Sequence, residues 1–363
     1  MCGSSKTTPL LPTKQATIAG SSVSVIAKES MNNASYYWSI ENSNLFQLIA
    51  GASAILTVLG VWILSFGTPV FLYYAFRSQQ YLASFIAIAL ITISYVPWKK
   101  GLISNLVNKF IAMTPYFFKK YTILFIGKSL PEEDNDEDGK TNPKPKIYGL
   151  HPHGAFCLGV IGLFASPPMT AKVRFVFAPA LYASPFFRLL ARLVGRPGPA
   201  DKASIIKYMK RGEDILIPPG GFEEATLSST KHDRVYIKKR VGFIKLALIH
   251  GYDVVPVYVF GENRTYFNVQ GNWKMRLKMN SMNIPAIFVW GLSFLPLLPK
   301  RDKDGMYIVA GDLLELPKIE NPTREEVKLW HDKYIAALVK VFEDHKCDAY
   351  GQEEGQNSKM ELW

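Results

Sequence analysis

Two long apolar segments without any charged residue constrain the fold of this 363-residue chain more than any other feature. They are residues 45–76 and 81–98, and only Arg77 and three polar residues separate them. A helix needs about 20 apolar residues to cross a bilayer core of about 30 Å, so the first segment is long enough and the second is just sufficient. The short turn predicts a transmembrane helical hairpin over residues 45–98. Two buried core helices of a soluble protein are the alternative interpretation.

The charge pattern orients this hairpin and limits the choice of partners. Five lysines lie between residues 99 and 120, against the single Arg77 in the turn, which places the C-terminal part on the cytosolic side. The net charge is +12, although residues 132–138 carry six acids, so the rest of the chain is strongly basic. A basic surface suits phospholipid headgroups or a phosphate-bearing substrate. Nucleic acid is not expected as a partner, because the aromatic residues lie in apolar runs rather than between basic residues.

Strand-like and helix-like stretches alternate in the second half of the chain. The predicted strands are 147–150, 173–178, 214–218, 254–260 and 306–310, and the predicted helices are 184–195, 201–211, 240–250 and 323–346. This alternation predicts an α/β domain, a sheet flanked by helices. The chain then divides into a flexible tail (1–44), the membrane hairpin (45–98), an interfacial helix over 102–126 with an acidic linker (together 99–146), the α/β domain (147–351) and a C-terminal tail (352–363).

Two histidines follow the first predicted strand of this domain, in the order His151, Pro152, His153, Gly154. Proline disfavours a helical conformation of the preceding residue, so His151 is expected to be extended at the end of the strand. Gly154 allows a tight turn or the close approach of a ligand. A histidine held at such a junction is suited to proton transfer. A pair of structural histidines at a turn is the alternative.

A glycine-rich stretch, IPPGGFEEA at residues 217–225, follows another predicted strand. The backbone N–H groups of Gly220 and Gly221 are suited to stabilise an oxyanion or a phosphate, and a nearby carboxylate is suited to orient a histidine. An ordinary glycine loop with solvated glutamates is the alternative.

Basic residues cluster just before and within the predicted helix 240–250. They are Lys231, Arg234, Lys238, Lys239, Arg240 and Lys245. Such a cluster is suited to anionic groups of a substrate, with a solvated surface as the alternative. The sequence has no Gly-x-Ser-x-Gly element typical of serine hydrolases and no Cys/His spacing typical of a zinc site, so no metal is expected.

These stretches together resemble the type-2 diacylglycerol acyltransferase family, which also includes monoacylglycerol and wax-alcohol acyltransferases. The similarity includes the HPHG signature at 151–154, the glycines 220 and 221 with Glu224, and the pattern R-x-G-F-x-K-x-A-x3-G-x2-V-V-P-x3-F-G at 240–261, continued by Glu262 and Asn263. The tail, with His331 and Tyr334, is similar as well. The resemblance extends over roughly residues 45–351 and implies an acyltransferase domain at 147–351.

The chain departs from the family pattern at three points. A Tyr-Phe-Pro element is reduced to Tyr116-Phe117, and Trp290-Gly291-Leu292 stands where the family has Gly-Arg-Gly. The related glycerol-phosphate acyltransferases have His-x4-Asp, but Leu158 stands at the acidic position after His153. Glu224 is therefore the candidate for the acid.

The resemblance implies acyl transfer from acyl-coenzyme A to the free hydroxyl of diacylglycerol, forming triacylglycerol, with no cofactor besides the co-substrate. Monoacylglycerol or a long-chain alcohol is an alternative acceptor, and a non-catalytic, membrane-anchored lipid-binding protein is the alternative to an enzyme. The expected location is the endoplasmic reticulum membrane, in a multi-pass topology with the catalytic domain facing the cytosol, and lipid droplets are a second location. Phospholipid membrane is an expected partner, as is a second copy of the chain.

The expected mechanism assigns the general base to His153, oriented by Glu224, while His151 shapes the turn or contacts substrate. Oxyanion donors are expected near Gly154, Gly220 and Gly221. The residues expected to bind acyl-coenzyme A are Arg240, Lys245, Lys238, Lys239 and Asn263. A rival chemistry uses Cys157 as a covalent nucleophile, although its apolar neighbours favour a small buried side chain.

Overall fold

The structure is a computed structural model that describes residues 14–18, 21–28, 35–96, 101–131, 144–163, 169, 172–282, 284 and 286–363. Its helices are α1 (Leu45–Arg77), α2 (Tyr81–Tyr95), α3 (Leu102–Ile111), α4 (Leu158–Leu163), α5 (Pro179–Ala183), α6 (Pro185–Val194), α7 (Lys202–Met209), α8 (Gly221–Leu227), α9 (Gly242–His250), α10 (Trp273–Ser281), α11 (Arg324–Tyr350) and α12 (Gln352–Asn357). Its strands are β1 (Lys14–Ile18), β2 (Ser21–Lys28), β3 (Ser35–Glu41), β4 (Lys120–Phe125), β5 (Lys146–His151), β6 (Arg174–Phe177), β7 (Arg196–Pro199), β8 (Ile215–Ile217), β9 (Asp233–Val235), β10 (Asp253–Phe260), β11 (Phe267–Asn268), β12 (Val289–Trp290), β13 (Met306–Ala310) and β14 (Met360–Leu362).

One large mixed sheet organises these elements, in the order β1-β2-β3-β4-β13-β10-β5-β8-β6-β7. The strands from β10 to β7 are parallel to one another. Strand β13 is antiparallel to β10 and parallel to β4, and the remaining pairs from β4 to β1 are antiparallel. A sheet flanked by helices confirms the predicted α/β class.

The two faces of the sheet pack against different helices. On β5, Tyr148 and Leu150 point into a core that includes Ile55 and Leu59 of α1. Ile147, on the opposite face, belongs to a second core formed with α9 and α11. Side chains alternate between the two faces of a strand, so the central strands are buried on both sides. The apolar N-terminal helix therefore lies on one face, and α9 and α11 lie on the other.

Most predicted elements of the second half are confirmed. The five predicted strands correspond to β5, β6, β8, β10 and β13, and the four predicted helices correspond to α6, α7, α9 and α11. Helix α11 begins with a capping box in which Thr323 and Glu326 each bond the other's backbone N–H. Helix α9 ends at Gly251 in the left-handed conformation, with φ of 72°.

The interfacial helix predicted over 102–126 is wrong beyond Ile111. Thr114–Phe117 forms a 3-10 turn, and Lys120–Phe125 is β4, a strand of the central sheet between β3 and β13. Tyr121, Ile123 and Phe125 alternate into the core, which is a period of two rather than a helical period. The acidic residues 132–138 lie outside the described residues.

The predicted flexible tail also differs from the structure, which has three strands within residues 14–41. Strand β3 pairs with β4 from Tyr36 to Glu41, and the hydroxyl oxygens of Ser39 and Thr122 lie 2.9 Å apart. The partner strand lies about 80 residues further along the chain, so its pairing is not visible in the local composition of the tail.

One helix among the described residues is long and apolar enough to cross a membrane, over Leu45–Leu64 of α1. It is consistent with a membrane anchor, although Ile55 and Leu59 are buried against the sheet of the α/β domain. Helix α2 has 15 residues, which at about 1.5 Å per residue gives roughly 22 Å, less than a bilayer core of about 30 Å. Its C-terminal end is held to the domain, because Arg192 donates to the Ser94 carbonyl at 3.0 Å.

Candidate active site

The carboxyl ends of three neighbouring parallel strands, β5, β8 and β10, bring the candidate site together. His151 ends β5, the glycine loop with Glu224 follows β8, and Glu262 follows β10. This edge is where open α/β sheets bind their ligands, since the strand ends and the following turns leave a crevice.

Glu224 and His151 form a fully buried pair at the centre of this edge. Nδ1 of His151 lies 2.9 Å from Oε1 of Glu224, and both side chains are 0% exposed. Because a carboxylate only accepts, Nδ1 carries the proton and Nε2 is left with a lone pair. This Nε2 is buried and has no hydrogen-bond partner among the described residues. The pair therefore has the geometry of an oriented base.

The expected pairing of Glu224 with the ring of His153 is wrong. Glu224 accepts from the backbone N–H of His153 at 2.8 Å, while the ring Nδ1 of His153 lies 3.0 Å from the Gly154 carbonyl oxygen. Burial lowers the pKa of His153, although the Gly154 carbonyl and the charge of Glu224 act in the opposite direction. His153 is thus a half-buried, neutral imidazole whose Nδ1 donates to Gly154.

Two features of the glycine loop bring Glu224 into place. A Cβ at Gly220 would lie 2.4 Å from the carboxyl carbon of Glu224, so only glycine allows this approach. Gly221 has φ of 56°, in the left-handed region that favours glycine, where the chain turns into α8. Glu224 also accepts from the backbone N–H of Tyr236 at 3.0 Å.

The basic residues predicted to bind acyl-coenzyme A do not form one site. Arg240 pairs with Glu223 and donates to the Gly220 carbonyl at 3.3 Å, so it supports the glycine loop. Lys238 and Lys239 are exposed on the turn that precedes α9, and Lys245 is exposed on α9 itself. These three lysines are available to a phosphate group.

Asn263 lies elsewhere, in the turn after β10 beside Glu262. It is buried, and neither polar atom of its side chain has a partner among the described residues. An amide with both atoms unpaired is costly to bury, which makes Asn263 a candidate contact for a polar group of a ligand.

Glu262 is a site residue that the sequence analysis named only as part of a pattern. It is fully buried and accepts from the backbone N–H groups of Leu158 and Gly159, at 3.0 and 2.7 Å. Burial raises its pKa to about 8. Gly154 has φ of 58°, and a Cβ there would lie 2.4 Å from Cγ of Glu262, so this glycine admits the carboxyl group. The signal available in the sequence was its position directly after a buried strand.

The surroundings of Cys157 disfavour the rival chemistry. Burial, with the charges of Glu262 and Glu224, raises the pKa of the Cys157 thiol well above its usual value. A nucleophilic cysteine needs a lowered pKa, because the thiolate is the reactive form. No group of three or more described His, Cys, Asp or Glu residues is arranged to hold a metal ion.

Two residues of α11 complete the surroundings of His151. The Tyr334 hydroxyl donates to the Gly149 carbonyl at 3.1 Å, and its ring centroid lies 6.2 Å from that of His151. His331 is buried, its Nε2 has no partner among the described residues, and burial lowers its pKa. Both residues appeared in the sequence only as points of family resemblance.

Comparison with known proteins identifies the family of this chain. A family model described as diacylglycerol acyltransferase matches residues 73–359, most of the chain. The chain belongs to the diacylglycerol acyltransferase family. Membership confirms the family expected from the sequence and, with it, the expectation of an acyltransferase.

Individual relatives from this family are identical to this chain at about 30% of the aligned residues. Diacylglycerol O-acyltransferase 2 of Dictyostelium discoideum is 31% identical over 59% of this chain and 71% of its own length. Diacylglycerol O-acyltransferase 2 of Homo sapiens is 32% identical over 55% of this chain and 56% of its own length. Diacylglycerol O-acyltransferase 1 of Schizosaccharomyces pombe is 30% identical over 56% of this chain and 64% of its own length. The aligned part thus spans little more than half of the human relative.

Proposed function

We propose that this protein transfers a fatty acyl group from acyl-coenzyme A to the free hydroxyl of diacylglycerol, forming triacylglycerol. The observation that carries the proposal is the buried pair of His151 and Glu224, in which Nε2 of His151 has no hydrogen-bond partner among the described residues. A base oriented by a carboxylate is the arrangement that removes a proton from an attacking hydroxyl. The names of the relatives support diacylglycerol as the acceptor.

We assign the base to His151 rather than His153, because the carboxylate contacts the ring of His151. Nε2 of His151 takes the proton from the hydroxyl group of the acceptor while the oxygen of that hydroxyl attacks the carbonyl carbon of the thioester. The tetrahedral intermediate then collapses, the carbon–sulfur bond breaks, and the coenzyme A thiolate receives the proton from the imidazolium. Glu224 stabilises that imidazolium and fixes the tautomer.

The remaining site residues have supporting roles. Backbone N–H groups near Gly154, Gly220 and Gly221 are assigned to the oxyanion of the intermediate. His153 remains neutral because burial lowers its pKa, and its Nε2 is assigned to a substrate contact. Lys238, Lys239 and Lys245 are assigned to the phosphates of coenzyme A, while Arg240 supports the glycine loop.

We also propose that α1 and α2 form a membrane hairpin in the endoplasmic reticulum, with the site on the cytosolic side and lipid droplets as a second location. Exposed apolar side chains outside the hairpin are also suited to contact the membrane interface. They include Leu102, Ile103 and Leu106 on α3, together with Phe288 and Phe294 in the segment 286–299. A homo-oligomer stays a prediction.

The test is acyl transfer from labelled oleoyl-coenzyme A in membranes that contain the full-length protein. Three acceptors are offered in parallel: diacylglycerol, monoacylglycerol and a fatty alcohol. We expect triacylglycerol from diacylglycerol, and a loss of about 10²- to 10⁴-fold in His151→Ala. His232→Ala is the control, because His232 is a surface histidine paired with Glu361. It should retain the wild-type rate.

Each other result has a defined meaning. Products from only monoacylglycerol or only a fatty alcohol would replace the acceptor and keep the reaction. Normal expression without an ester from any acceptor would favour a lipid-binding protein. Full activity in His151→Ala with loss in His153→Ala would return the base to His153.

A further inference from the structure

An apolar groove runs between α7 and α9, over the strands β5 and β8. Its volume is about 520 Å³, within the range of roughly 300–1,000 Å³ that is typical of small-molecule sites. Isoleucines dominate its walls, with side chains from the sheet (147, 215, 217), from α7 (205, 206) and from α9 (249). The groove is therefore suited to a flexible hydrocarbon group.

The groove lies on the same side of the sheet as His151, and the buried rings of Phe243 and Tyr334 pack between the groove and that histidine. Side chains alternate along β5, so Ile147 in the groove wall and His151 lie on the same face of the sheet. Phe243, also in the wall, contacts the ring of Tyr334 at a centroid distance of 5.0 Å, and Tyr334 in turn contacts His151. The far end lies at His250, about 12 Å from Gly242 along α9 at 1.5 Å per residue.

The charged residues that line the groove are basic. Lys202 and Lys245 are exposed on its rim, near the N-terminal ends of α7 and α9, and none of the described residues that line it is acidic. Lys238 and Lys239 lie just before α9 on the same edge of the sheet. An apolar groove with basic residues at its entrance is complementary to a hydrocarbon chain that carries an anionic head group.

The position of the groove separates the two substrates of the reaction. It lies on the face of α9 and α11, whereas the apolar helix α1 packs on the opposite face. A ligand that enters from the aqueous side, with a phosphate-bearing head, fits this face better than a neutral diacylglycerol dissolved in the bilayer.

We propose that the groove between α7 and α9 binds the fatty chain of the acyl-coenzyme A donor. The thioester lies at the His151 end, the phosphates lie on the lysines of the rim, and the chain extends toward His250. The identity of the donor rests on the proposed function, whereas the binding of an anionic single-chain lipid does not.

A bulky side chain in the groove tests this assignment in the full-length protein. Ile206 lines the groove and is half-buried, so Ile206→Trp should raise the KM for palmitoyl-coenzyme A about tenfold. The KM values for butyryl-coenzyme A and for diacylglycerol should stay within about twofold, since neither ligand reaches this position. Ala203→Trp is the matched control, because Ala203 is exposed on the same helix outside the groove. Equal effects on all three KM values would overturn the assignment.

A binding measurement that needs no turnover separates this proposal from the proposed function. A palmitoyl-coenzyme A analogue with a diazirine at the end of its chain is photolysed with the detergent-solubilised protein, and labelled peptides are mapped by mass spectrometry. Label on α7 and α9 that palmitoyl-coenzyme A removes supports the groove, even where no ester product is found. Label on other segments, or label that dioleoylglycerol removes instead, overturns it.

Discussion

Replacing Glu224 by glutamine tests the centre of the proposed site with the smallest change in shape. The carboxylate accepts three hydrogen bonds, from the ring of His151 at 2.9 Å and from the backbone N–H groups of His153 at 2.8 Å and Tyr236 at 3.0 Å. An amide has only one oxygen, so its NH2 group must face either the N–H of His153, at the position of Oε2, or the two donors at the position of Oε1. If it faces His153, one buried donor loses its acceptor. If it faces His151, it also faces the backbone N–H of Tyr236, because both groups contact Oε1 of Glu224. The Tyr236 donor then loses its acceptor, the imidazole must take the other tautomer, and Nε2 no longer accepts a proton.

Both orientations have a measurable cost. A buried donor without an acceptor costs about 1–3 kcal/mol, so a central value of about 2 kcal/mol lowers Tm by roughly 4–8 °C in a domain of this size. The loss of the negative charge removes the stabilisation of the imidazolium, so kcat should fall by about 10²-fold or more while the KM values change little. The assays are acyl transfer in membranes and thermal unfolding in detergent.

Glu223→Gln is the matched control, because Glu223 is the neighbouring residue on α8 and pairs with Arg240 rather than with a histidine. It should lower kcat less than about tenfold. A Glu224→Gln variant with kcat within about threefold of the wild type would refute the proposed role of the carboxylate, and equal losses in the two variants would assign it to loop structure alone.

Two further predictions concern the turn that follows β5. Burial raises the pKa of Glu262 to about 8. Between roughly pH 4.5 and 8, the folded protein therefore holds a proton that the unfolded chain releases. The free energy of unfolding should fall as the pH rises through this range. Glu262→Gln should flatten this dependence in thermal unfolding measured from pH 5 to 9, and an unchanged slope would contradict the raised pKa. Gly154→Ala should lose both stability and activity, because its Cβ would meet Glu262 at 2.4 Å. The control is Gly212→Ala, where φ is 67° and no atom of the described residues lies within 4 Å of the added Cβ, so it should show only the backbone strain of about 1 kcal/mol. Equal losses of Tm in the two alanine variants would show that the contact with Glu262 does not matter.

Much of the secondary structure of the α/β domain could be predicted from local patterns. Apolar runs bounded by proline and glycine marked β5 and β10, and the capping residues Thr323 and Glu326 marked the start of α11. These signals are local, because a strand or a cap depends on residues within a few positions of each other. Strand β4 was missed because residues 120–125 continue the aromatic and apolar composition of the segment that begins with helix α3. Its identity depends on pairing with β3 and β13, which lie far away in the sequence.

The candidate site shows the same division. The sequence by itself determined which residue types are available: two histidines at a strand end, a glycine pair with a glutamate, and a run of basic residues. The tertiary structure decided that Glu224 contacts the ring of His151 and only the backbone of His153. It also brought Glu262 against Gly154 and opened the groove between α7 and α9. Local patterns specify which conformation and which face each segment prefers, whereas the order of the strands specifies which distant side chains meet, and that order is set only when the whole sheet is packed.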